Sequence, residues 1–186
     1  MKSLTIDPLR LVHCIDVIRR FVKHRSDFHY GYLSHALAAE LDNFIQEVNM
    51  QIINFETRQK GKELHSFLLQ MHFLLQLILQ FFSENNFKKS LQQLTTFIRP
   101  ILNQAKLISD LCTELFKSNA RGAVILSILH EKALNSAGDI GGQKILYLLT
   151  KETSKPYLNM ITAWIQQGIL IDDHSEFMIT GKMPKV

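Results

Sequence analysis

Residues 31–58 read GYLSHALAAELDNFIQEVNMQIINFETR, which is the most regular amphipathic pattern in the chain of 186 residues. Apolar side chains recur there at steps of three and four residues, as on one face of an α-helix. These positions are Leu33, Leu37, Leu41, Phe44, Val48, Ile52 and Phe55. A helix over this range would be about 40 Å long at roughly 1.5 Å per residue. Such a rod is more typical of helical bundles and scaffolds than of a compact enzyme core.

The segments on either side of this helix also predict helices. Asp7 and Pro8 mark a helix start, because the carboxylate can cap the first turn and proline is tolerated there. This first helix should run to about His24. The cations near its end favour the negative end of the helix dipole and predict a solvated helix terminus. They are Arg19, Arg20, Lys23, His24 and Arg25.

A second apolar stripe follows a segment from about Glu63 to Phe82 that is apolar on nearly every side. The stripe repeats at three and four residues, which predicts core packing ahead of coiled-coil dimerisation. Its members are Leu91, Leu94, Ile98, Ile101, Ala105, Ile108, Cys112 and Leu115. Because Pro100 interrupts the stripe, we expect a kink or a change of helix near Arg99.

The remainder of the chain predicts three shorter helices. One runs from about Ala123 to Leu134, a second surrounds residues 145–149, and a third begins near residues 154–156 and stops at Gly168. The sequence therefore predicts an all-α fold of stacked helical bundles built from long amphipathic helices. We expect bundle segments of about 1–86 and 87–186.

Composition narrows the function classes. Only 8 glycines and 4 prolines punctuate the chain, which is 46% hydrophobic and carries a net charge of +4. An excess this small predicts no nucleic-acid partner, because nucleic-acid modules concentrate positive charge on one face. The most lipid-like stretch is interrupted by polar residues, which predicts no membrane span. Cys14 and Cys112 do not suggest a disulfide framework, and a reducing compartment fits best.

Motifs that carry chemistry are incomplete. His130 and Glu131 begin like the zinc-protease signature, but the second ligand position is Leu134. Gly138, Gly141 and Gly142 form a flexible connector without the residues that cradle phosphate. The carboxylates that follow Gly168, at Asp172, Asp173 and Glu176, predict a solvated hydrogen-bonding turn rather than a metal cluster. We therefore expect no catalytic residue, no metal and no cofactor.

Three blocks of sequence resemble the gamma-tubulin complex component family, the grip-motif proteins that build microtubule-nucleating complexes. The most specific block runs from Pro156-Tyr157 through Trp164-Ile165 and Gly168 to 172–179. In the family this block reads Pro-Tyr, Trp-Ile, a helix-ending Gly, and then Asp-Pro-aromatic-x-Glu-Phe. The departures from this pattern are Asp173 in place of proline and His174 in place of the aromatic residue, and they bear on the rigidity of the turn.

The other two blocks cover most of the remaining chain. Residues 25–56, with Tyr30-Gly31, resemble the family's long helix and most closely that of the component-2 branch. The third block runs from residue 90 to 100 and on through 126–131 to 138–139. Residues of about 57–87 do not match and look like an insertion or a divergent stretch. The positions that match family motifs as structural residues are Gly31, Pro156, Tyr157, Trp164, Gly168, Asp172, Glu176 and Phe177.

The resemblance implies that residues 1–186 are part of one N-terminal grip domain. It implies a non-catalytic scaffold subunit whose lateral contacts with neighbouring complex components array gamma-tubulin for microtubule nucleation. Gamma-tubulin itself would be bound by a C-terminal domain not present here. The implied location is the cytoplasm and cytoskeleton, at the centrosome and spindle pole. A generic helical adaptor or tethering protein is the alternative, and a hydrolase using His130 and Glu131 is a weaker one.

The helix expected at residues 63–82 has more apolar surface than one neighbouring helix can cover, so it is the candidate protein interface. The candidate interface residues are Phe67, Leu68, Phe73, Leu74 and Phe81. The aromatic residues Tyr157, Trp164 and Phe177 could also anchor an interface, but packing around a turn is the favoured role.

Overall fold

The computed structural model describes residues 6–60, 87–170 and 172–179. These residues form five α-helices and one short 3₁₀ helix, and they contain no β-strand. The helices are α1 (Ile6–Arg25), α2 (Tyr32–Lys60), α3 (Phe87–Lys117), α4 (Ala123–Asn135) and α5 (Ile140–Gln167), with the 3₁₀ helix at Phe28–Tyr30. The predicted all-α fold is confirmed, and so are the helices expected at the start of the chain, at residues 31–58 and at residues 123–134. The helix expected at residues 63–82 lies outside the described residues.

The apolar stripes of the sequence form the core. Buried side chains from α1 to α5 make one continuous cluster, which includes Leu41 of α2, Ile108 of α3 and Leu129 of α4. Helix α1 packs mainly against α3 and also against α2, whereas α5 packs against α2 and α4. The periodic positions of α2 from Leu33 to Ile52 are all buried. Core packing is confirmed for the first predicted stripe from Leu33 to Ile52 and for the second from Leu94 to Leu115.

At two prolines the structure continues a helix where the sequence suggested an interruption. The sequence predicted a kink or a change of helix near Arg99, and the change of helix does not occur, because α3 continues through Pro100. Helix α5 is one element that contains Pro156 in its interior, whereas the sequence suggested two helices. Packing of buried residues on both sides of each proline, such as Ile98 and Ile101, outweighs the single backbone hydrogen bond that proline removes.

Glycines 141 and 142 lie in the first turn of α5 and not in a flexible connector. The side chain of Asp139 caps this turn by accepting a hydrogen bond from the Gly141 N–H at 3.1 Å. A Cβ on Gly142 would lie 2.8 Å from a methyl group of Leu107. Glycine therefore lets the start of α5 approach α3 closely.

No helix within the described ranges has both the length and the apolar character needed to cross a bilayer.

Candidate functional site

The first turn of α2 is capped by a carboxylate from the far end of the described chain. The Glu176 Oε2 atom accepts a hydrogen bond from the Tyr32 N–H at 2.8 Å, and both of its carboxylate oxygens lie 3.4 Å from the Leu33 nitrogen. A helix start leaves its first N–H groups without intrahelical partners, and an anion there is also stabilised by the helix dipole. Glu176 therefore does for α2 what a local capping residue usually does.

Gly31, the residue before α2, lies directly against the Glu176 carboxylate. It has a φ of 95°, and a Cβ placed on it would lie 2.2 Å from the Glu176 Oε1 atom. Since glycine has no side chain, it can adopt this positive φ, and it leaves free the space that the Glu176 carboxylate occupies. Gly31 cannot supply a side-chain cap of its own, so the capping function falls to Glu176.

A second glycine, Gly122, lies on another side of Glu176. It precedes α4 with a φ of 56°, and a Cβ on it would lie 3.3 Å from the Glu176 Cα atom. Glu176 is consequently only 5% exposed, although the sequence predicted a solvated carboxylate. That prediction is wrong because two loops, distant in sequence, close over the turn that carries Glu176.

The turn at residues 172–177, called the 172–177 turn below, is held by Asp172. Its carboxylate accepts hydrogen bonds from the Glu176 N–H at 2.9 Å and from the Phe177 N–H at 2.8 Å. Asp173 accepts a hydrogen bond from the Tyr32 hydroxyl at 3.4 Å, and the His174 ring lies 5.2 Å from the Tyr32 ring. The two positions that depart from the family pattern therefore both contact the start of α2.

Aromatic side chains join this turn to α5. Phe177 is 4% exposed, and its ring centroid lies 5.7 Å from that of Tyr157 and 5.9 Å from that of Trp164. Helix α5 contains Pro156 and is capped at its end by Gly168, which has a left-handed φ of 67°. The Gly168 N–H donates a hydrogen bond to the Trp164 carbonyl at 3.0 Å. The structure thus brings six of the eight motif positions into two adjoining groups. Gly31 and Asp172 lie around Glu176, and Tyr157 and Trp164 lie around Phe177. Pro156 and Gly168 lie within and at the end of α5.

Burial dominates the electrostatics of Glu176. Desolvation raises the pKa of its carboxyl, and the nearby Asp172 carboxylate acts in the same direction. The N–H groups of Tyr32 and Leu33, together with His174, lower that pKa and oppose the larger effect of burial. The Asp173 carboxylate is the main reason that the pKa of the Tyr32 phenol is raised. Both shifts originate from the contact between the 172–177 turn and α2.

Arg25 is a buried cation next to this region, although the sequence predicted that it would be solvated. It is 2% exposed, and its guanidinium donates hydrogen bonds of 3.3 Å to the carbonyl of Ala120 and to the side chain of Asn119. The guanidinium carbon also lies 4.7 Å from the centre of the Tyr30 ring. Burial lowers the pKa of Arg25, and the charge of Arg121 adds to this. Arg25 ties the end of α1 to the turn after α3.

The sequence did not predict the burial of Arg25 or the capping function of Glu176. Both depend on contacts between residues far apart in the chain, and nothing in the local pattern at residues 19–25 distinguishes the buried arginine from its solvated neighbours. For Glu176, the signal was a glycine, with no side chain to cap the helix, before a long amphipathic helix. A missing local cap is a reason to look for a distant carboxylate.

The contacts of this junction position the start of α2 and the 172–177 turn. His130 and Glu131 are both exposed, and within the described residues no three His, Cys, Asp or Glu side chains could together hold a metal ion. Burial raises the pKa of the Cys112 thiol, which keeps it protonated and unreactive. The candidate interface residues Phe67, Leu68, Phe73, Leu74 and Phe81 lie outside the described residues. The candidate site is accordingly the structural junction around Glu176.

Comparisons with known proteins match nearly the whole chain. The family model for the gamma tubulin complex component N-terminal region matches residues 1–185. Gamma-tubulin complex component 2 of Mus musculus is 31% identical over 87% of this chain and 15% of its own length. Spindle pole body component alp4 of Schizosaccharomyces pombe is 29% identical over 87% of this chain and 23% of its own length. Gamma-tubulin complex component 2 of Arabidopsis thaliana is 23% identical over 88% of this chain and 20% of its own length.

The chain spans less than a quarter of the length of each of these relatives. The family model nevertheless covers far more than half of the chain, and the residues at the Glu176 junction are those that carried the family resemblance in the sequence. This chain belongs to the gamma-tubulin complex component N-terminal family.

Proposed function

We propose that this chain is a non-catalytic scaffold element of a gamma-tubulin complex. Its N-terminal grip region makes lateral contacts with neighbouring complex components, so that gamma-tubulin is arrayed for microtubule nucleation. The observation that carries the proposal is the family match over residues 1–185. Residues 1–186 then belong to one N-terminal grip domain, in which the expected segments of about 1–86 and 87–186 share one core through the packing of α1 on α3.

The length and shared core of the helices support the proposed scaffold function, because they favour a stiff structure. Helices α2, α3 and α5 each have 28 to 31 residues and share one continuous apolar core. Close-packed protein interiors have low compressibility and transmit strain, so a stack of such helices would transmit a fixed angle from one end to the other. The Glu176 junction adds a polar contact where α2 begins, between segments 144 residues apart.

The partners follow from the same proposal. They are other gamma-tubulin complex components in a hetero-oligomer, with gamma-tubulin contacted through a C-terminal domain outside this chain. No nucleic-acid or membrane partner is part of the proposal. The relatives are named gamma-tubulin complex components and a spindle pole body component, which supports a location at the centrosome and spindle pole, within the cytoplasmic cytoskeleton.

Co-purification tests the proposal. The affinity-tagged chain is mixed with recombinant gamma-tubulin complex components, and the bound components are identified by mass. We expect at least one component to be retained by the chain. A generic helical adaptor would retain none of them, and that result would contradict the proposal.

The control is a chain that cannot fold. Leu111 is fully buried in α3, so Leu111→Asp places an unpaired charge in the core and should unfold the bundle. Components retained equally by this variant would show that the association is non-specific.

A further inference from the structure

One face of α5 is left uncovered by the described part of the bundle. Its apolar side chains are 49% to 69% exposed and recur at spacings of seven, eleven and seven residues. They are Ile140, Tyr147, Leu158 and Ile165. At about 100° per residue, these four positions lie within about 20° of one another around the helix. They therefore form a single line along α5 and not scattered exposure.

Lysines occupy the same line. Lys144, Lys151 and Lys155 are exposed and lie within about 80° of arc together with the four apolar residues. Helix α5 contains these three lysines and one carboxylate, Glu152, which pairs with Lys155. Among the described residues, Lys144 and Lys151 form no ion pair. The α5 stripe, as we call these seven residues, therefore carries two lysines that have no ion-pair partner in the part of the chain that the structure describes.

We infer that the α5 stripe docks an acidic amphipathic helix of a neighbouring gamma-tubulin complex component, an inference that rests on the proposed function. A helix lying along α5 would place apolar residues against the four apolar positions. It would need carboxylates about seven residues apart, which is about 10.5 Å, to face Lys144 and Lys151. Charge complementarity of this kind fixes register and selects the partner.

A second copy of this chain fits the α5 stripe poorly. In a symmetric dimer the same surface meets itself, so the line that carries Lys144 and Lys151 would face an identical positive line. The only carboxylate on α5, Glu152, is already paired with Lys155. Like charges opposed in this way disfavour the contact.

A membrane surface also fits poorly. A helix that inserts into a bilayer keeps its apolar face continuous and carries its lysines on the opposite, polar face. Here Lys144 and Lys151 lie between the apolar positions along the helix and within about 60° of them around it, where deep insertion would bury their charges. Alternation of apolar and basic residues along a line is what a partner helix with alternating apolar and acidic residues requires.

A groove beside the stripe gives the partner a place to insert a side chain. It has a volume of about 240 Å³ and lies between α2, α3 and the first two turns of α5. Lys144 and Glu47 both border it, and Phe44, Val48 and Ile101 contribute apolar walls. An apolar residue of the docked helix would enter this groove. Because Glu47 disfavours a second carboxylate inside the groove, the acidic residues of the partner would contact Lys144 from outside it.

Charge reversal tests the inference. The Kd of the chain is measured for the component that it retains, first as wild type and then as Lys144→Glu with Lys151→Glu. Two attractive pairs become repulsive, so we expect the Kd to rise by about tenfold or more. The affinity of the wild type should also fall as salt is added, and the variant should lose that dependence.

The matched control uses Arg99→Glu with Lys106→Glu. These two exposed cations are also seven residues apart, but they lie on α3, and the net charge changes equally. We expect the control to leave the Kd within about twofold of wild type. An unchanged Kd in the α5 variant, or an equal loss in the control, overturns the inference while leaving the proposed function intact.

Other outcomes are equally decisive. A wild-type chain that binds no component removes the proposed function itself. Dimerisation of the wild type that the α5 variant abolishes, seen by light scattering, would assign the stripe to a second copy. Binding to phosphatidylserine vesicles that the same variant abolishes would assign it to a membrane. Either result would overturn docking of a partner helix.

Discussion

At the residue scale, Gly31 is fixed by both conformation and space. Its φ of 95° lies in a region that other residues rarely adopt, and the Glu176 carboxylate occupies the volume that a Cβ would need. We expect Gly31→Ala to lower the free energy of unfolding by about 1–3 kcal/mol, which is the usual cost of such backbone strain. Urea denaturation measures this loss.

Gly138→Ala is the matched control for that substitution. A Cβ on Gly138 would meet no atom within 4 Å, and its φ is not positive. We expect a change within about 0.5 kcal/mol, as for other surface positions. If the two alanine variants were equally stable, the close fit of Gly31 against Glu176 would not constrain the fold.

Glu176 also makes stability depend on pH. Because burial raises its pKa in the folded chain, the folded state retains a proton at pH values where the unfolded chain has lost it. The stabilising contribution of this carboxyl is therefore complete below its unfolded pKa and is lost as the pH rises through the folded pKa. We expect wild type to be most stable relative to Glu176→Gln in acid, and this advantage should shrink toward neutral pH.

Urea denaturation of both proteins across acidic and neutral pH gives the comparison. Asp172 and His174, the ionisable neighbours of Glu176, are present in both proteins, so the difference reports the carboxyl together with its interactions with these two neighbours. An advantage of wild type that grows with pH would mean that the hydrogen bonds from Tyr32 and Leu33 outweigh burial.

Motif residues could be found from the sequence, but their contacts could not. The spacing of Asp172, Glu176 and Phe177 singled out the turn, and Gly31 was recognised as a motif position. The glycine before α2 signals a missing local cap, but nothing local indicates which carboxylate reaches the Tyr32 N–H, because that contact depends on how α2 and α5 pack. The same holds for Arg25, which becomes buried only when the turn after α3 lies against the end of α1.

At the element scale, α3 contains a proline that the bundle tolerates. Pro100 has no N–H to donate to the carbonyl of Thr96, and its exposed ring contributes little to the core. Since proline costs about 3 kcal/mol relative to alanine inside a helix, we expect Pro100→Ala to raise the free energy of unfolding by about 1–3 kcal/mol. Thermal denaturation followed by circular dichroism measures the gain.

Lys106→Ala, at another exposed position of α3, should change stability by about 0.5 kcal/mol or less. A loss of stability in Pro100→Ala would show that the local geometry at the proline is needed for packing of Ile98 and Ile101.

Helix boundaries at proline were the least predictable part of the fold. The apolar period of α3 continues on both sides of Pro100, and this period gave the right core, whereas the proline suggested a break. The same competition occurs in α5, where buried Leu149 and Thr153 lie just before Pro156. Burial of several side chains outweighs one missing hydrogen bond, but the sequence does not say how much each helix will bury.

At the scale of the whole molecule, one core joins all the described helices. Leu11 of α1, Leu37 of α2 and Leu146 of α5 belong to the same cluster of buried side chains. The 172–177 turn is attached to this body through Glu176 and Phe177. A domain of this kind with a single core commonly unfolds in one cooperative transition.

The position of the only tryptophan makes cooperativity measurable. Trp164 contacts Phe177 and so reports on the 172–177 turn, whereas circular dichroism reports on all the helices. We expect the two signals to give one melting temperature.

Glu176→Ala leaves the N–H groups of Tyr32 and Leu33 without their acceptor, which costs about 1–3 kcal/mol. The melting temperature falls by roughly 2–4 °C for each kcal/mol in a domain of this size. If the turn is integral to the bundle, both signals should shift together by that amount. If only the tryptophan transition moved to lower temperature, the turn would melt before the core. Glu176 would then attach a separately unfolding segment to the bundle and would not be part of one cooperative unit.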